Sequence, residues 1–159
     1  MTWKIRLCYL LITSLLAICS FVSHGQEIIE VTPLSFGSVA VLDNSSVGHI
    51  EVDSLGNISI STNFAVLEPP QYGEFRLVDY PVNANLFVTG GIVQAQTTSD
   101  AFSPEQFTLT AVNTVSVINI GSDGTALLRV GGRLETSGSG SLVFGDTTYS
   151  CRLVITVNY

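Results

Sequence analysis

The stretch YSCRLVITVNY, residues 149–159, alternates apolar and polar side chains at every position except Val154. Every second residue from Tyr149 to Tyr159 is apolar, while Arg152, Thr156 and Asn158 fall between them. Because successive side chains of a β-strand point to opposite faces, this pattern predicts a half-buried strand. Its core face would carry Cys151 and the apolar residues, and its other face would meet solvent.

Shorter runs of the same kind fill most of the chain from residue 26 onward. Ile50 and Val52 alternate with polar residues, and residues 54–57 turn the chain into a second short run, which predicts a hairpin. Further strands are predicted at residues 74–80, 84–89, 107–111, 116–120 and 125–130. About eight short antiparallel strands without intervening helices favour an all-β sandwich, with a barrel as the alternative.

Helical signals are nearly absent from this part of the chain. The sequence Ser103-Pro104-Glu105-Gln106 has an N-cap serine, a proline at the first helical position and a glutamine at the third. This capping pattern predicts one isolated turn of helix.

The first 25 residues have the pattern of a secretory signal peptide. Lys4 and Arg6 precede a charge-free apolar run over residues 7–22, and small residues then mark a cleavage site between Gly25 and Gln26. A membrane anchor is the alternative, but the run is shorter than the roughly 20 residues that span a bilayer. We therefore expect a signal peptide over 1–25, a single domain over 26–159, no membrane span after cleavage, and a location in the periplasm, at the cell surface or outside the cell.

The residues after the predicted cleavage site are acidic and contain no lysine. Four arginines against 13 aspartates and glutamates leave a net charge of −9. This charge argues against nucleic acid as a partner, since phosphate binding depends on clustered lysine and arginine. Cys151 is the one cysteine left, so no internal disulfide is available and a packed core must stabilise the domain.

Residues for catalysis or metal binding are few. His49 is the only histidine after residue 25, and no Gly-x-Ser-x-Gly element accompanies it, so a solvated surface histidine is expected. One histidine and one cysteine cannot form a zinc site. The acidic segments that begin at Asp43 and Asp53 lack the spacing of a calcium-binding loop. We therefore expect no enzyme activity, no cofactor and no metal.

The remaining reactive or modifiable groups have simpler interpretations. Cys151, on the apolar face of the last strand, is expected to be a buried and inert thiol. Asn44 and Asn57 match the N-glycosylation pattern, which matters only in a host that glycosylates exported proteins. The acids in connecting segments have no evident pairing for glycoside hydrolysis and are expected to be solvated: Glu68, Glu74, Asp79, Asp100 and Glu105.

Four short motifs occur in a fixed order along the chain: LSFG at 34–37, a run ending in Val-Thr-Gly at 84–90, Val-Gly-Gly-x-Leu at 130–134, and the terminal stretch 149–159. Together they resemble the bacterial secreted family called domain of unknown function 4402. Two departures are Cys151, where the family often has glycine, and residues 91–104, which match poorly. The motif residues are Phe36, Gly37, Gly90, Gly131, Gly132, Tyr149 and Tyr159.

The resemblance implies an immunoglobulin-like β-sandwich exported by bacteria. Members of the family look similar to fimbrial or adhesin subunits and have no established activity, so no catalytic residue is carried over. From the residues themselves, Gly131-Gly132 predicts a bulge or kink in its strand. The stretch Tyr149 to Tyr159 is expected to close the core.

The sequence therefore favours a non-enzymatic surface module, either a pilus-like subunit or an adhesion domain. Its expected partners are other surface or pilus-like subunits, or host or environmental glycans. Only residues 26–33 precede the LSFG motif, which is short for a strand donated to a neighbour, so a self-complete domain is expected. The alternative is a small carbohydrate-binding or carbohydrate-active domain, suggested by Tyr72 in the loop 69–73.

Overall fold

The computed structural model describes residues 25–159, so the predicted signal peptide lies almost entirely outside the described residues. Within this range the chain forms eleven β-strands and no helix. The strands are β1 (Glu27–Thr32), β2 (Ser38–Val41), β3 (His49–Val52), β4 (Ile58–Ile60), β5 (Phe64–Glu68), β6 (Gly73–Val78), β7 (Asn85–Ser99), β8 (Thr108–Thr114), β9 (Val117–Asn119), β10 (Ala126–Glu135) and β11 (Tyr149–Asn158).

Nine of these strands belong to one antiparallel sheet, and β2 and β5 form a separate pair. The main path of the large sheet is β1-β6-β10-β8-β7-β11, with β3 and β4 attached through β10 and β9 attached to β7. A single residue pair, Gln96 with Thr108, joins β7 to β8. The two halves of the sheet pack face to face, because Leu77 of β6 and Leu86 of β7 lie in one buried cluster. The fold is therefore the predicted antiparallel β-sandwich.

Three clusters of buried side chains form the core between these layers. The first joins β3, β5, β8 and β10 under the β2–β5 pair, and the other two lie between β6 and β10 on one side and β7, β9 and β11 on the other. Their buried members are Ile50, Phe64, Phe107, Leu109 and Leu134; Leu77, Tyr80, Leu86 and Ile120; and Val88, Leu128 and Val130.

The strongly alternating runs were predicted correctly. The β3–β4 hairpin turns at residues 53–57, and Asp123-Gly124 turns the chain into β10, with Gly124 at φ 77°. The prediction of about eight strands was too low. It omitted β1, β2 and β5, whose sequences EIIEVT, SVAV and FAVLE place apolar residues next to each other instead of alternating. The strand predicted over 84–89 extends to Ser99.

The predicted helical turn at residues 103–106 is wrong, because tertiary contacts take the capping groups. The Ser103 hydroxyl lies 2.7 Å from the Tyr149 hydroxyl and accepts a hydrogen bond from the Gly145 N–H at 3.0 Å. The Gln106 side-chain oxygen accepts a hydrogen bond from the Thr97 hydroxyl of β7 at 2.9 Å. Both side chains therefore stabilise an irregular segment leading into β8.

Two expectations about the motif residues also need correction. The β10 ladder stays in register through Gly131 and Gly132, and its irregularity falls between Arg133 and Leu134 instead. At Gly131, where β10 passes from β6 to β3, a Cβ would collide with the Val52 carbonyl oxygen. Tyr159 does not help to close the core, since it is 62% exposed.

Candidate functional site

The last strand, β11, lies at the edge of the large sheet. It pairs with β7 along almost its whole length and with no other strand of residues 25–159. Its burial alternates as predicted, with Arg152, Thr156 and Asn158 exposed. However, none of its inward residues is fully buried, and Cys151, Leu153, Ile155 and Val157 are all only partly covered. The apolar face of β11 is therefore incompletely packed.

The free edge of β11 presents main-chain groups in a defined order. Val88 donates its N–H to the carbonyl oxygen of Ser116, on the side of β7 away from β11, at 2.9 Å. Val88 faces Val157 across the ladder, so these two residues form a pair without mutual hydrogen bonds. The N–H of Val157 must then point outward to the free edge, and that of Ile155 points the same way because direction alternates along the strand.

A groove of about 880 Å³ separates β11 from β2. One wall is the segment from Leu34 to Val41, and the other is the chain from Gly145 to Leu153. β2 pairs with β5 on its far side, so within the described chain neither strand has a partner on the side that faces the groove.

Aromatic side chains line one end of this groove. The ring of Phe107 stacks on Phe144 with centroids 4.8 Å apart and meets Tyr149 edge-on at 4.9 Å. The Tyr149 hydroxyl accepts a hydrogen bond from the Gly145 N–H at 2.8 Å. Tyr149 is thereby held in place, and the end of the groove nearest the β10–β11 connection is preformed.

The groove continues past the other end of β2 toward β1. A second section of about 480 Å³ is lined by Ile28 and Glu30 of β1 and by Leu153 and Ile155 of β11. Cys151 and Leu153 line both sections. The apolar face of β11 therefore borders one continuous depression that passes between the first and last strands of the described chain.

Cys151 lies within this groove, half-buried instead of fully buried as expected. Burial raises the pKa of its thiol above the ordinary value. The thiol therefore stays protonated at neutral pH, which makes it a weak nucleophile.

The residues considered for catalysis are engaged in other contacts. The His49 ring Nε2 lies 3.2 Å from the Ser59 hydroxyl on the β3–β4 hairpin, and among residues 25–159 no carboxylate bonds to its other ring nitrogen. Glu74 forms an ion pair with Arg129 at 3.1 Å. Glu105 accepts hydrogen bonds from the hydroxyls of Ser137 and Ser139, both at 2.8 Å.

The acidic turns are closed by hydrogen bonds to their own aspartates. Asp53 accepts a hydrogen bond from the Asn57 side-chain amide at 2.6 Å and from the N–H groups of Asn57 and Leu55, both at 2.8 Å, and these bonds lower the pKa of its carboxyl. Asp43 accepts hydrogen bonds from the N–H and the hydroxyl of Ser45 in the turn that precedes β3. No group of three potential metal ligands occurs in residues 25–159.

Asn44 is fully buried, so its glycosylation pattern is inaccessible in the folded chain. Its side-chain amide donates to the Ser141 carbonyl oxygen at 2.7 Å, and its Oδ1 accepts the Gly138 N–H at 2.9 Å. These bonds fix residues 137–141, here called the serine loop, in the connection between β10 and β11. Asn57 is exposed and donates to Asp53 at 2.6 Å.

Tyr72, suggested by the sequence as a sugar-contacting residue, has Arg129 over one face of its ring. The Arg129 guanidinium lies 4.8 Å from the centre of its ring, and Arg129 is held there by Glu74. A Cβ at Gly56 would lie 3.1 Å from the ring edge. The ring is therefore partly covered by the protein itself.

Several motif residues surround the groove. Phe36 and Tyr149 line it, and a Cβ at Gly132 would lie 3.2 Å from the Phe36 ring. Gly37, at φ 77°, lies where a Cβ would collide with the backbone of Glu68 and Pro69. These residues set the position of the β2 wall against β5 and β10.

The sequence profile of a family described as Domain of unknown function (DUF4402) matches residues 27–159, from the first residue of β1 to the end of the chain. The chain belongs to this family. The match confirms the resemblance that the four motifs indicated, and in the DUF4402 fold described here those motifs converge on the groove and on the strands that support it. No curated protein and no solved structure matches the chain.

The sequence did not predict the groove, because its β2 wall lacks an alternating pattern. The available signal was the LSFG motif at 34–37, whose glycine fits a turn and whose phenylalanine lies on the groove. No helix within the described residues is long and apolar enough to cross a membrane.

Proposed function

We propose that this DUF4402 protein is a non-enzymatic module exported to the cell surface or beyond, with a structural or adhesive role, and that it acts by accepting an extended polypeptide segment in the groove beside β11. The supporting observation is the combination of an unpaired strand edge with a half-buried apolar face along the same strand. A strand added at such an edge gains main-chain hydrogen bonds, and its alternate side chains fill the apolar groove.

The environment of the ionisable residues agrees with this proposal. His49, Glu74 and Glu105 contact hydroxyl or guanidinium groups that hold loops and strands together. The Cys151 thiol has a raised pKa and is therefore poorly suited to nucleophilic attack. These groups have structural roles that account for their positions without a reaction.

The proposal of export rests on the N-terminal sequence. Lys4 and Arg6, the apolar run 7–22 and the small residues before Gln26 form the three parts of a secretory signal. The family match begins at Glu27, next to the predicted cleavage site. Intact-mass measurement of the protein recovered outside the cytoplasm tests this step, and a chain that retains residues 1–25 would contradict it.

Binding of an extended segment can be tested with peptides of about ten residues, the length of β11. One peptide alternates valine and threonine, and the control has the same composition with its valines in one block. The readout is the rate at which Cys151 reacts with a maleimide in a full chain carrying Cys8→Ser and Cys19→Ser. We expect the alternating peptide to slow the reaction and the control peptide to leave it unchanged.

Equal reaction rates with both peptides and with none would contradict the proposed function. Binding on a glycan array that is abolished by Tyr72→Ala would instead favour the carbohydrate-binding alternative. The Tyr72 ring is covered on one side by Arg129, so we expect no such binding.

A further inference from the structure

We infer that the segment accepted by the groove is β1 of a second copy of this chain, so that the protein assembles head to tail. This inference rests on the proposed function and names its partner. Three features of β1 support it: the direction in which its side chains point, its exposure, and its charge relative to β11.

The more apolar face of β1 points away from the core. Ile28 pairs with Leu77 and Glu30 with Phe75, and these two β6 residues face the sandwich interior. Ile29 pairs with Arg76, which is exposed, so Ile29 lies on the outer face. The inward face of β1 carries Ile28 and Glu30, and the outer face carries Glu27 and Ile29. Val31, at the irregularity between Glu30 and Thr32, adds a second exposed apolar residue after Ile29.

The exposed apolar side chains of β1 also support its transfer to the groove of a second copy. Ile29 is 41% exposed and Val31, two residues on, is 49% exposed. Five of the six β1 residues are exposed, and among the strands of residues 25–159 β1 pairs only with β6. A strand placed beside and parallel to β11 with Ile29 and Val31 pointing inward would bury both side chains against Cys151 and Leu153.

The charges are complementary in the same orientation. With Ile29 and Val31 inward, Glu30 points outward, because adjacent residues of a strand occupy opposite faces. Arg152 is exposed on the outward face of β11 and has no carboxylate partner in residues 25–159. Glu30 of one copy can therefore pair with Arg152 of the next.

The exchange is balanced in main-chain hydrogen bonds. β1 loses its pairing with β6 and gains pairing with the free edge of β11. Burial of Ile29 and Val31 therefore decides whether the equilibrium favours the monomer or the assembly. The donor strand and the acceptor groove are different surfaces of one chain. Such a contact is heterologous, and repeating it without closing a ring produces a linear filament.

Disulfide trapping between two versions of the full chain tests the arrangement. Both versions carry Cys8→Ser and Cys19→Ser. The donor version also carries Ile29→Cys and Cys151→Ser. The acceptor version keeps Cys151 and has a distinguishable mass. Under mild oxidation we expect mixed dimers containing one copy of each. The matched control donor carries Ile28→Cys in place of Ile29→Cys, and it should give at least about tenfold fewer mixed dimers, because residue 28 would face outward.

Each alternative result is distinguishable. Mixed dimers through Ile28→Cys but not Ile29→Cys would show that β1 exchanges onto β6 of another copy and would overturn the inference. Absence of mixed dimers with both donors would also overturn it. If the alternating peptide still protects Cys151 in that case, the proposed function stands and only the identity of the segment is wrong.

Two surface substitutions provide an independent measurement by sedimentation. Ile29→Asp places a charge where the groove would bury it, so the fraction of protein in high-mass species should fall at least about tenfold. The control Val93→Asp, on the exposed face of β7, should leave that fraction unchanged. Arg152→Glu should weaken assembly, and adding Glu30→Arg should restore it. A wild-type chain that remains monomeric at all concentrations, or assembly that is indifferent to Ile29→Asp, would refute the inference.

Discussion

β10 and β11 are both ten-residue strands with apolar residues on one face, yet they differ in burial. In β10, Leu128 and Val130 are completely inaccessible to solvent. In β11, the corresponding inward residues Leu153 and Ile155 remain partly exposed. The two sequences have similar patterns, so the difference must come from what surrounds each strand.

The surroundings differ in the number of neighbouring strands. β10 pairs with β6 and β3 on one edge and with β8 on the other, whereas β11 pairs only with β7 among the described strands. A missing neighbour removes both main-chain partners and the side chains that would cover the inward face. Alternation in a sequence therefore indicates which face points inward, but the sheet order determines how fully that face is buried.

The largest effect is expected in the middle of β10. Leu128→Ala should lower the free energy of unfolding by about 3 kcal/mol, because it leaves a cavity among residues that cannot collapse around it. Urea unfolding followed by far-UV circular dichroism measures the change in the free energy of unfolding. A loss below about 1 kcal/mol would show that β10 is not the rigid centre of the sandwich.

The connection between β10 and β11 should show the next largest effect on the free energy of unfolding. Asn44→Ala removes the buried amide that holds the serine loop and should cost about 2 kcal/mol, because the Gly138 N–H and Ser141 carbonyl lose their partner. The same urea measurement applies. Asn57→Ala, at an exposed turn, is the matched control and should cost less; equal losses would contradict the structural role of Asn44.

Truncation in β11 should have a smaller effect than truncation in β10. Leu153→Ala should cost about 1 kcal/mol, since Leu153 is already partly in contact with water in the folded chain. The measurement must be made on monomer at low protein concentration. A loss as large as that of Leu128→Ala would mean that β11 is fully packed in solution and that the groove is closed.

The smallest effect concerns pH. Hydrogen bonds from the Ser137 and Ser139 hydroxyls lower the pKa of Glu105 below its ordinary value. The stabilisation from Glu105 is therefore present above the unfolded-state pKa of about 4.3 and is lost as pH falls through the lower folded-state value. Unfolding midpoints measured from pH 6 to about pH 3 should decrease less in Glu105→Gln than in the wild type. An identical pH dependence in both would contradict this assignment.

Much of the fold could be predicted from strands in which apolar residues recur at every second position. The β3–β4 hairpin, β6 and β11 alternate strongly and were predicted as strands, and the face of β11 that was expected to point inward is the one that does. β1 and β2 could not be predicted in this way, because neighbouring apolar residues such as Ile28 and Ile29 leave the inward face undecided. The groove depends on the position of β2 relative to β11, which is a long-range property that local patterns do not contain.

The tertiary contacts of single polar residues were likewise beyond prediction. Ser103 has the sequence of a helix cap but contacts Tyr149, which is distant in sequence. Asn44 has the pattern of a glycosylation site but lies buried against the serine loop. In both cases the partner lies in the β10–β11 connection or at the start of β11, so the role appears only when the sandwich has formed.

Amide hydrogen exchange along β11 tests the central claim, that its free edge accepts a strand, most directly. In the monomer, the amides of Ile155 and Val157 should exchange quickly because they point to the open edge, while those of Val154 and Thr156 should be protected by β7. With the ten-residue alternating peptide bound, exchange at Ile155 and Val157 should slow by about tenfold or more. In the assembled protein the six-residue β1 should slow exchange at Ile155 to a similar degree. Unchanged exchange at Ile155, both in the assembled state and with the peptide bound, would contradict the account.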